Sequence, residues 1–284
     1  MRIKKIKPYI YLLPALLLAV MFVYYPFIRS IVSSFFNISI SGKFNSFCFL
    51  DNYKALLTDD VFYLSLKNTF IFMLMFVPLN TIFVIALVLL TLKRNRLTNI
   101  AEGIFMLPMT IGLSSAALLF KFLFNETNGV INSILKHEIL WSSNVFPARL
   151  SLVFLGIFLD LSIDYLLLLS ATRNLDRGPI EAAMVDGCTS RQIFFKIKLP
   201  MLLPILSFIV FIAIKDALLI CSPIIVMTEG GPARSTQTIV YYYYLSAFKN
   251  SAISKAATIS TLVFIIAAII LSLYKRFEKR RITF

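Results

Sequence analysis

Six apolar runs separated by charged connections leave this chain little choice of environment. They lie near Tyr11–Ile31, Thr69–Leu92, Ile104–Phe124, Leu150–Ser170, Leu202–Met227 and Ile259–Leu273. Each is close to the ~20 residues an α-helix needs to cross the hydrocarbon of a bilayer. The composition points the same way: 59% of residues are hydrophobic and 15% charged, whereas soluble chains carry about 25% charged residues. The start, MRIKKIKPYIYLLPALLLAV, begins like a secretory signal. Its apolar run continues through Met21–Ile28 without a small-residue cleavage site, which predicts a retained first span. The fold class read from these runs is an all-α polytopic membrane protein with six transmembrane helices, residues 1–284 forming one transmembrane domain.

The formal net charge of +14 would suggest nucleic acid in a soluble chain. Here the cations cluster between the apolar runs, so topology accounts for them and no nucleic-acid partner is expected. Arg2, Lys4, Lys5 and Lys7 precede the first span, and Lys93, Arg94 and Arg96 follow the second. Arg173, Arg177, Arg191, Lys196 and Lys198 follow the fourth. Lys275, Arg276, Lys279, Arg280 and Arg281 follow the sixth. They outnumber by more than two to one the cations of the alternate connections (Lys43, Lys54, Lys67, Lys136, Arg149, Arg234, Lys249, Lys255). The positive-inside rule then places both termini in the cytoplasm and Thr228–Lys255 outside. The Tyr241–Leu245 aromatic run is expected at the outer interface.

Metal and disulfide chemistry have little footing. Cys48, Cys188 and Cys221 are far apart, and His137 is the only histidine. Pro14, Pro26, Pro78, Pro108 and Pro204 sit in or near the spans, where they bend helices for packing. Asn125-Glu126-Thr127 matches a glycosylation pattern and is taken as loop structure.

Charges at membrane depth are costly, so they face a protein interior or a water-filled cavity. Asp160 and Asp164, four residues apart in the fourth span, share a helix face. They are candidates for the translocation pathway, touching solute hydroxyls or a partner chain. Lys215 and Asp216 in the fifth span are further candidates. Adjacent residues point about 100° apart on a helix, so these two are not expected to pair with each other. Lys215 is free to meet Asp160, Asp164 or an anionic solute.

One connection breaks the apolar pattern with a motif: Glu181–Pro200, EAAMVDGCTSRQIFFKIKLP. The preceding ATRNLDRG is turn-like. Pro179 suits the first turn of a helix, and Gly187 ends or loosens it. Thr189-Ser190 suits the cap of a second short helix. The expected result is two short helices, nearly perpendicular, on the membrane face. Two roles remain open on pattern alone: packing against the chain's own bundle, or insertion into a groove of a soluble partner.

Glu181-Ala182-Ala183, Asp186-Gly187 and Ile197-Lys198-Leu199-Pro200 resemble the EAA loop of binding-protein-dependent ABC importer permeases. Cys188 stands where that family has Ala, and Asp176 where it often has Pro. The resemblance extends along nearly the whole chain. LDNYKALLTDDVFYLSLKNTF (Leu50–Phe70) is similar to the family's outer segment before span two. FMLPMTIGLSSAALLFKFLFNETNGVIN (Phe105–Asn132) is similar to its third span and outer turn. TEGGPARST (Thr228–Thr236) is similar to the Gly-Gly-Pro loop of its sugar-importing branch.

The resemblance implies the type I ABC importer permease fold and the first permease of a heterodimeric pair in the carbohydrate and glycerol-phosphate branch. It implies that residues 171–200 are a cytoplasmic coupling loop touching an ATPase through Glu181, Ala182, Ala183, Asp186, Gly187 and Arg191. ATP and Mg would be used by two cytoplasmic ATPase subunits, because this chain lacks a phosphate-binding G-x-x-x-x-G-K-[ST] loop. No cofactor is expected on this chain, which is read as a transport subunit and not an enzyme. The other implied partners are a second permease, an extracytoplasmic solute-binding protein and the lipid of a bacterial inner membrane. An ion-gradient-driven transporter would suit the intramembrane acids but not the EAA loop. A membrane enzyme or receptor would need a larger extramembrane domain.

Overall fold

The computed structural model describes residues 2–281, with side chains over 11–276. In chain order it runs α1 (Arg2–Ala19), a π turn at Val20–Tyr24, α2 (Tyr25–Ser33), strands β1 (Phe36–Ile38) and β2 (Phe44–Phe47), α3 (Asp51–Leu57) and α4 (Asp60–Thr91). There follow α5 (Arg96–Met106), a 3-10 turn at Leu107–Thr110, α6 (Leu113–Leu123), α7 (Val130–Leu135), α8 (Val145–Arg173), α9 (Gly178–Val185) and α10 (Ser190–Ile193). The chain closes with a π turn at Phe194–Lys198, α11 (Leu199–Leu219), α12 (Ser222–Met227), α13 (Ile239–Tyr244), a π turn at Leu245–Lys249 and α14 (Ile253–Arg281). The antiparallel β1–β2 hairpin corrects the all-α expectation. It forms where the chain leaves the first span, and edge-on contacts of Phe36 with Phe44 and Phe47 support it.

Among the described residues, five helical stretches are long and apolar enough to cross a membrane: Tyr11–Ser33, Asp60–Thr91, Val145–Arg173, Ser190–Leu219 and Ile253–Arg276. The run expected as a single third span is instead broken, with Arg96–Thr110 and Leu113–Leu123 meeting at 109°. Pro108 removes an N–H and Gly112 adopts an extended backbone (ψ 145°), so α-helix cannot run through. The fifth span also differs from expectation. It begins earlier, and its helix stops at Leu219, with α12 a separate short helix after the turn at Cys221. The sixth begins at Ile253.

The prolines explain two of the π turns. Those at Val20–Tyr24 and Phe194–Lys198 end just before Pro26 and Pro200. A proline ring presses on the carbonyl four residues back, here Phe22 and Lys196. Both lie in the π turn, whose wider coil moves that carbonyl aside.

The described chain divides into two compact units, one of residues up to Tyr63 together with Tyr242–Ala268, the other Leu64–Tyr241 and the stretch from Ile269. In the first, Asp59 accepts from Lys255 Nζ at 2.7 Å and from the Tyr242 hydroxyl. Burial works to raise the Asp59 carboxyl. The hydrogen bonds from Lys255, Tyr242 and the Val61 N–H prevail and hold it below the usual carboxylate range. In the Tyr run, Tyr241 and Tyr242 are buried.

The second unit is organised around α8, the most enclosed of the long helices. Leu161 and Leu168 pack with Val84 and Val88 of α4 and with Leu202 and Ile209 of α11. Ala116 and Ala117, fully buried on α6, let that helix approach α8 and α12 closely. Tyr165 donates to Thr91 Oγ1 at 2.7 Å. Hydrogen bonds between membrane helices contribute about 0.6 kcal/mol on average.

Candidate functional site

Two features of the second unit hold the residues singled out in the sequence. The first is the loop after α8. Gly178 N–H donates to Asp176 Oδ1 at 3.1 Å, and Pro179 occupies the first turn of α9. The helix ends in a Schellman motif. Cys188 N–H reaches the Ala183 carbonyl at 3.0 Å and Gly187 N–H reaches that of Met184 at 3.1 Å. Gly187 takes φ +78°, a left-handed conformation that costs glycine nothing. Thr189 then caps the next helix: its Oγ1 accepts from Gln192 N–H at 3.3 Å, and its own N–H donates to Gln192 Oε1 at 2.8 Å. The expectation of a second short helix is corrected here. Helix continues from Ser190 to Leu219, because the π turn accommodates Pro200.

Exposure sorts the loop. Ala183 and Ile193 are buried, whereas Glu181, Ala182, Asp186, Gly187 and Arg191 are exposed. Met184 is 58% exposed and Val185 88%, the latter the most exposed large apolar side chain described. The helix thus exposes apolar side chains beside charged ones.

The second feature is a cavity of about 200 Å³ within the bundle. Phe72 and Phe76 stack along one wall, ring centroids 5.6 Å apart at 7°. Gly156, Asp160, Asp216 and Ser222 contribute to its lining. Asp160 Oδ2 accepts no hydrogen bond among the described residues. A larger groove of about 540 Å³ runs beside Phe70, Leu206, Phe211 and Tyr274. Its walls are almost wholly apolar, without the convergent polar groups that orient a polar solute, so the smaller cavity is the better candidate.

The four acids and bases of the spans do not act as one set. Asp160 and Asp216 share the cavity. Asp164 is buried away from it and accepts from Asn80 Nδ2 of α4 at 2.7 Å. Lys215 pairs with neither Asp160 nor Asp164. Its Nζ lies 2.9 Å from Asp216 Oδ1, which corrects the expectation that these neighbours would not meet. A four-carbon stem on an open surface folds back across the angle between adjacent positions.

Sequence reasoning missed the supporting residues. Asn80 carried a readable signal, being an amide within an apolar run. Ser162 had none. Its hydroxyl donates to the Phe105 carbonyl at 2.9 Å and accepts from Met109 N–H at 3.1 Å, satisfying backbone groups at the broken span. Arg173 grips Glu102 of α5 with both terminal nitrogens, Nη1 to Oε2 at 3.2 Å. In the Gly-Gly-Pro loop, Ser235–Thr238 is buried. Arg149 donates to the Ser235 carbonyl and to Asn68 Oδ1, and Asn68 Nδ2 donates to the carbonyls of Arg234 and Gln237.

The geometry defines a multi-pass membrane protein with a mainly apolar cavity that two carboxylates enter and an exposed short helix elsewhere in the same unit. No family model matches the chain. Individual relatives do. A probable ABC transporter permease protein, YesP of Bacillus subtilis, is 31% identical over 78% of this chain and 74% of its own. The sn-glycerol-3-phosphate transport system permease protein UgpA of Pectobacterium atrosepticum is 27% identical over 98% of this chain and 95% of its own. A crystal structure of a bacterial ABC transporter involved in the import of the acidic polysaccharide alginate contains a chain of the same fold. Its TM-score is 0.84 at 20% identity, with 99% of each chain covered. The chain belongs to the ABC transporter permease family.

Proposed function

We propose that this chain is one of two related permeases in an ATP-driven, binding-protein-dependent importer of a sugar or sugar-like solute. It sits in a bacterial inner membrane with both termini cytoplasmic. The observation that carries this reading is α9: a glycine-terminated helix with Met184 and Val185 turned to solvent and Glu181, Asp186 and Arg191 around them. Its apolar tip fills a groove on a cytoplasmic ATPase subunit, and the surrounding charges orient it. Two such subunits use ATP and Mg. A second permease supplies the other half of the pathway, and an extracytoplasmic binding protein delivers the solute.

The cavity favours the solute class. Stacked rings offer a face for a sugar's C–H surface, and Asp160 offers acceptor oxygens for hydroxyls. Glycerol 3-phosphate is the second reading, favoured by the likeness to a glycerol-3-phosphate permease. An anion is disfavoured because Lys215 is already engaged by Asp216. Both readings are tested with the whole transporter and its binding protein in proteoliposomes. ATP-dependent uptake of a neutral sugar, uncompeted by glycerol 3-phosphate, is the expected result. Uptake of glycerol 3-phosphate uncompeted by neutral sugars would reverse the preference, and uptake driven by an ion gradient without ATP would remove the importer reading.

A further inference from the structure

The broken span and the coupling loop are joined by side chains. α5, the first arm of the broken span, is fastened to α8 at three heights. At one end Arg173 of α8 holds Glu102 of α5 with both terminal guanidinium nitrogens. This pair is partly buried, its side chains 32% and 16% exposed. A planar fork on a carboxylate fixes direction as well as distance. In the middle the Phe105 ring meets Tyr165 edge-on at 5.2 Å. At the break, Ser162 bonds the Phe105 carbonyl and the Met109 N–H.

The two ends of this seam matter. Arg173 is the last residue of α8, and α9 begins five positions later at Gly178. Beyond the break, Leu113 opens α6 and lines the cavity with Asp160 and Asp216. A displacement of α9 that moves the end of α8 therefore carries α5 with it and is delivered at the 109° bend beside the cavity.

We propose that Glu102 and Arg173 are positioning residues that pass movement of the coupling loop to the broken span and so to the cavity wall. This rests on the coupling role of α9. A pair serving only to hold two helices together would influence folding but not the response of the cavity to nucleotide.

The test uses the whole transporter, with this chain carrying Leu113→Cys and lacking Cys48 and Cys221. The probe is a positively charged methanethiosulfonate reagent, and labelling at position 113 is timed without nucleotide and with ATP plus vanadate. Cys188 is replaced by Ser for labelling and retained in a parallel sample for cross-linking to cysteines in the ATPase groove. In the parent, we expect the labelling rate to differ between the two states by about fivefold or more. Glu102→Gln and Arg173→Gln should each abolish that difference per folded complex while the Cys188 cross-link persists. The charge swap Glu102→Arg with Arg173→Glu should restore it.

Retained nucleotide dependence in both single variants, with the cross-link intact, would overturn the inference alone. Failure of the swap to restore a response lost in the singles would also overturn it. Absence of both the cross-link and the nucleotide dependence in the parent would overturn the coupling role and this inference together. If the singles reduce folded complex, the rate measured on the surviving fraction decides: a response equal to the parent's assigns the pair a structural role only.

Discussion

Gly156 of α8 faces Phe76 of α4 at the cavity. A Cβ built there would lie 2.8 Å from Phe76 Cε2. We predict that Gly156→Val pushes the Phe76 ring off Phe72, costs about 1–3 kcal/mol through overpacking, and impairs uptake more than it reduces membrane abundance. Uptake assayed per folded transporter checks this, and normal uptake would take the cavity out of the pathway. Glu126 allows a pH test. The Ser142 hydroxyl outweighs burial and, with the Ser142 N–H and both donors of Ser143, holds the Glu126 carboxyl below the usual carboxylate range. A depressed folded value means this stabilisation is complete above the ordinary range, near 4.3, and is lost as pH falls through the lower folded value. Trp141, the only tryptophan, donates to Asn132, which itself donates to the Glu126 carbonyl. Its emission in the purified chain should hold steady through the ordinary carboxylate range and shift to the red only at more acid pH, as the lowered folded value is passed. Glu126→Gln should show the shift at neutral pH, and an unshifted spectrum would refute the staple. None of this was visible in Asn125-Glu126-Thr127, which identified a loop but not the serines that close it.

Among the elements, those governed by local chemistry were legible. Pro179 and Gly187 marked the bounds of α9, and Thr189 the start of α10, because each acts on backbone within a few residues of itself. The broken third span was not, since its composition suits a continuous helix. Whether Pro108 and Gly112 bend or break it depends on Ser162, which stands 53 and 57 residues in sequence from the two backbone groups it bonds, accepting and donating in place of the lost backbone partners. Asp160 and Asp164 were legible as a face but not as two environments, because α4 captures one of them through Asn80. From that contact we predict an ordering. Asp164→Asn keeps an amide pair with Asn80, whereas Asn80→Leu leaves a buried acid without its donor, a loss of about 1–3 kcal/mol. The folded fraction surviving heat in detergent should therefore fall further for Asn80→Leu. The reverse order would mean that the charge, not the hydrogen bond, is what Asp164 contributes.

For the molecule as a whole, membrane residence and approximate span positions follow from the apolar runs, because lipid imposes length and backbone satisfaction on every crossing. Sidedness rests on the distribution of cations. The buried Thr236 makes a poor probe of it, whereas Asn250 and Val185 are exposed on opposite sides of the expected topology. A cysteine at Asn250 should react with an impermeant thiol reagent in intact cells, and one at Val185 only after permeabilisation. Reaction of both from outside would invert the orientation. The assembly itself hinges on whether α9 touches the ATPase. The most direct measurement is cross-linking of the native Cys188, exposed beside the Schellman turn, to cysteines placed along the ATPase groove. It is read together with uptake and ATP hydrolysis in Gly187→Trp and Val185→Asp chains. We predict a cross-link in the parent whose yield changes with nucleotide. Both variants should lose uptake and stimulated hydrolysis, with unchanged solute affinity of the binding protein and near-normal membrane abundance. Full transport by both variants, with no cross-link from Cys188 in any nucleotide state, would contradict the coupling role of this helix.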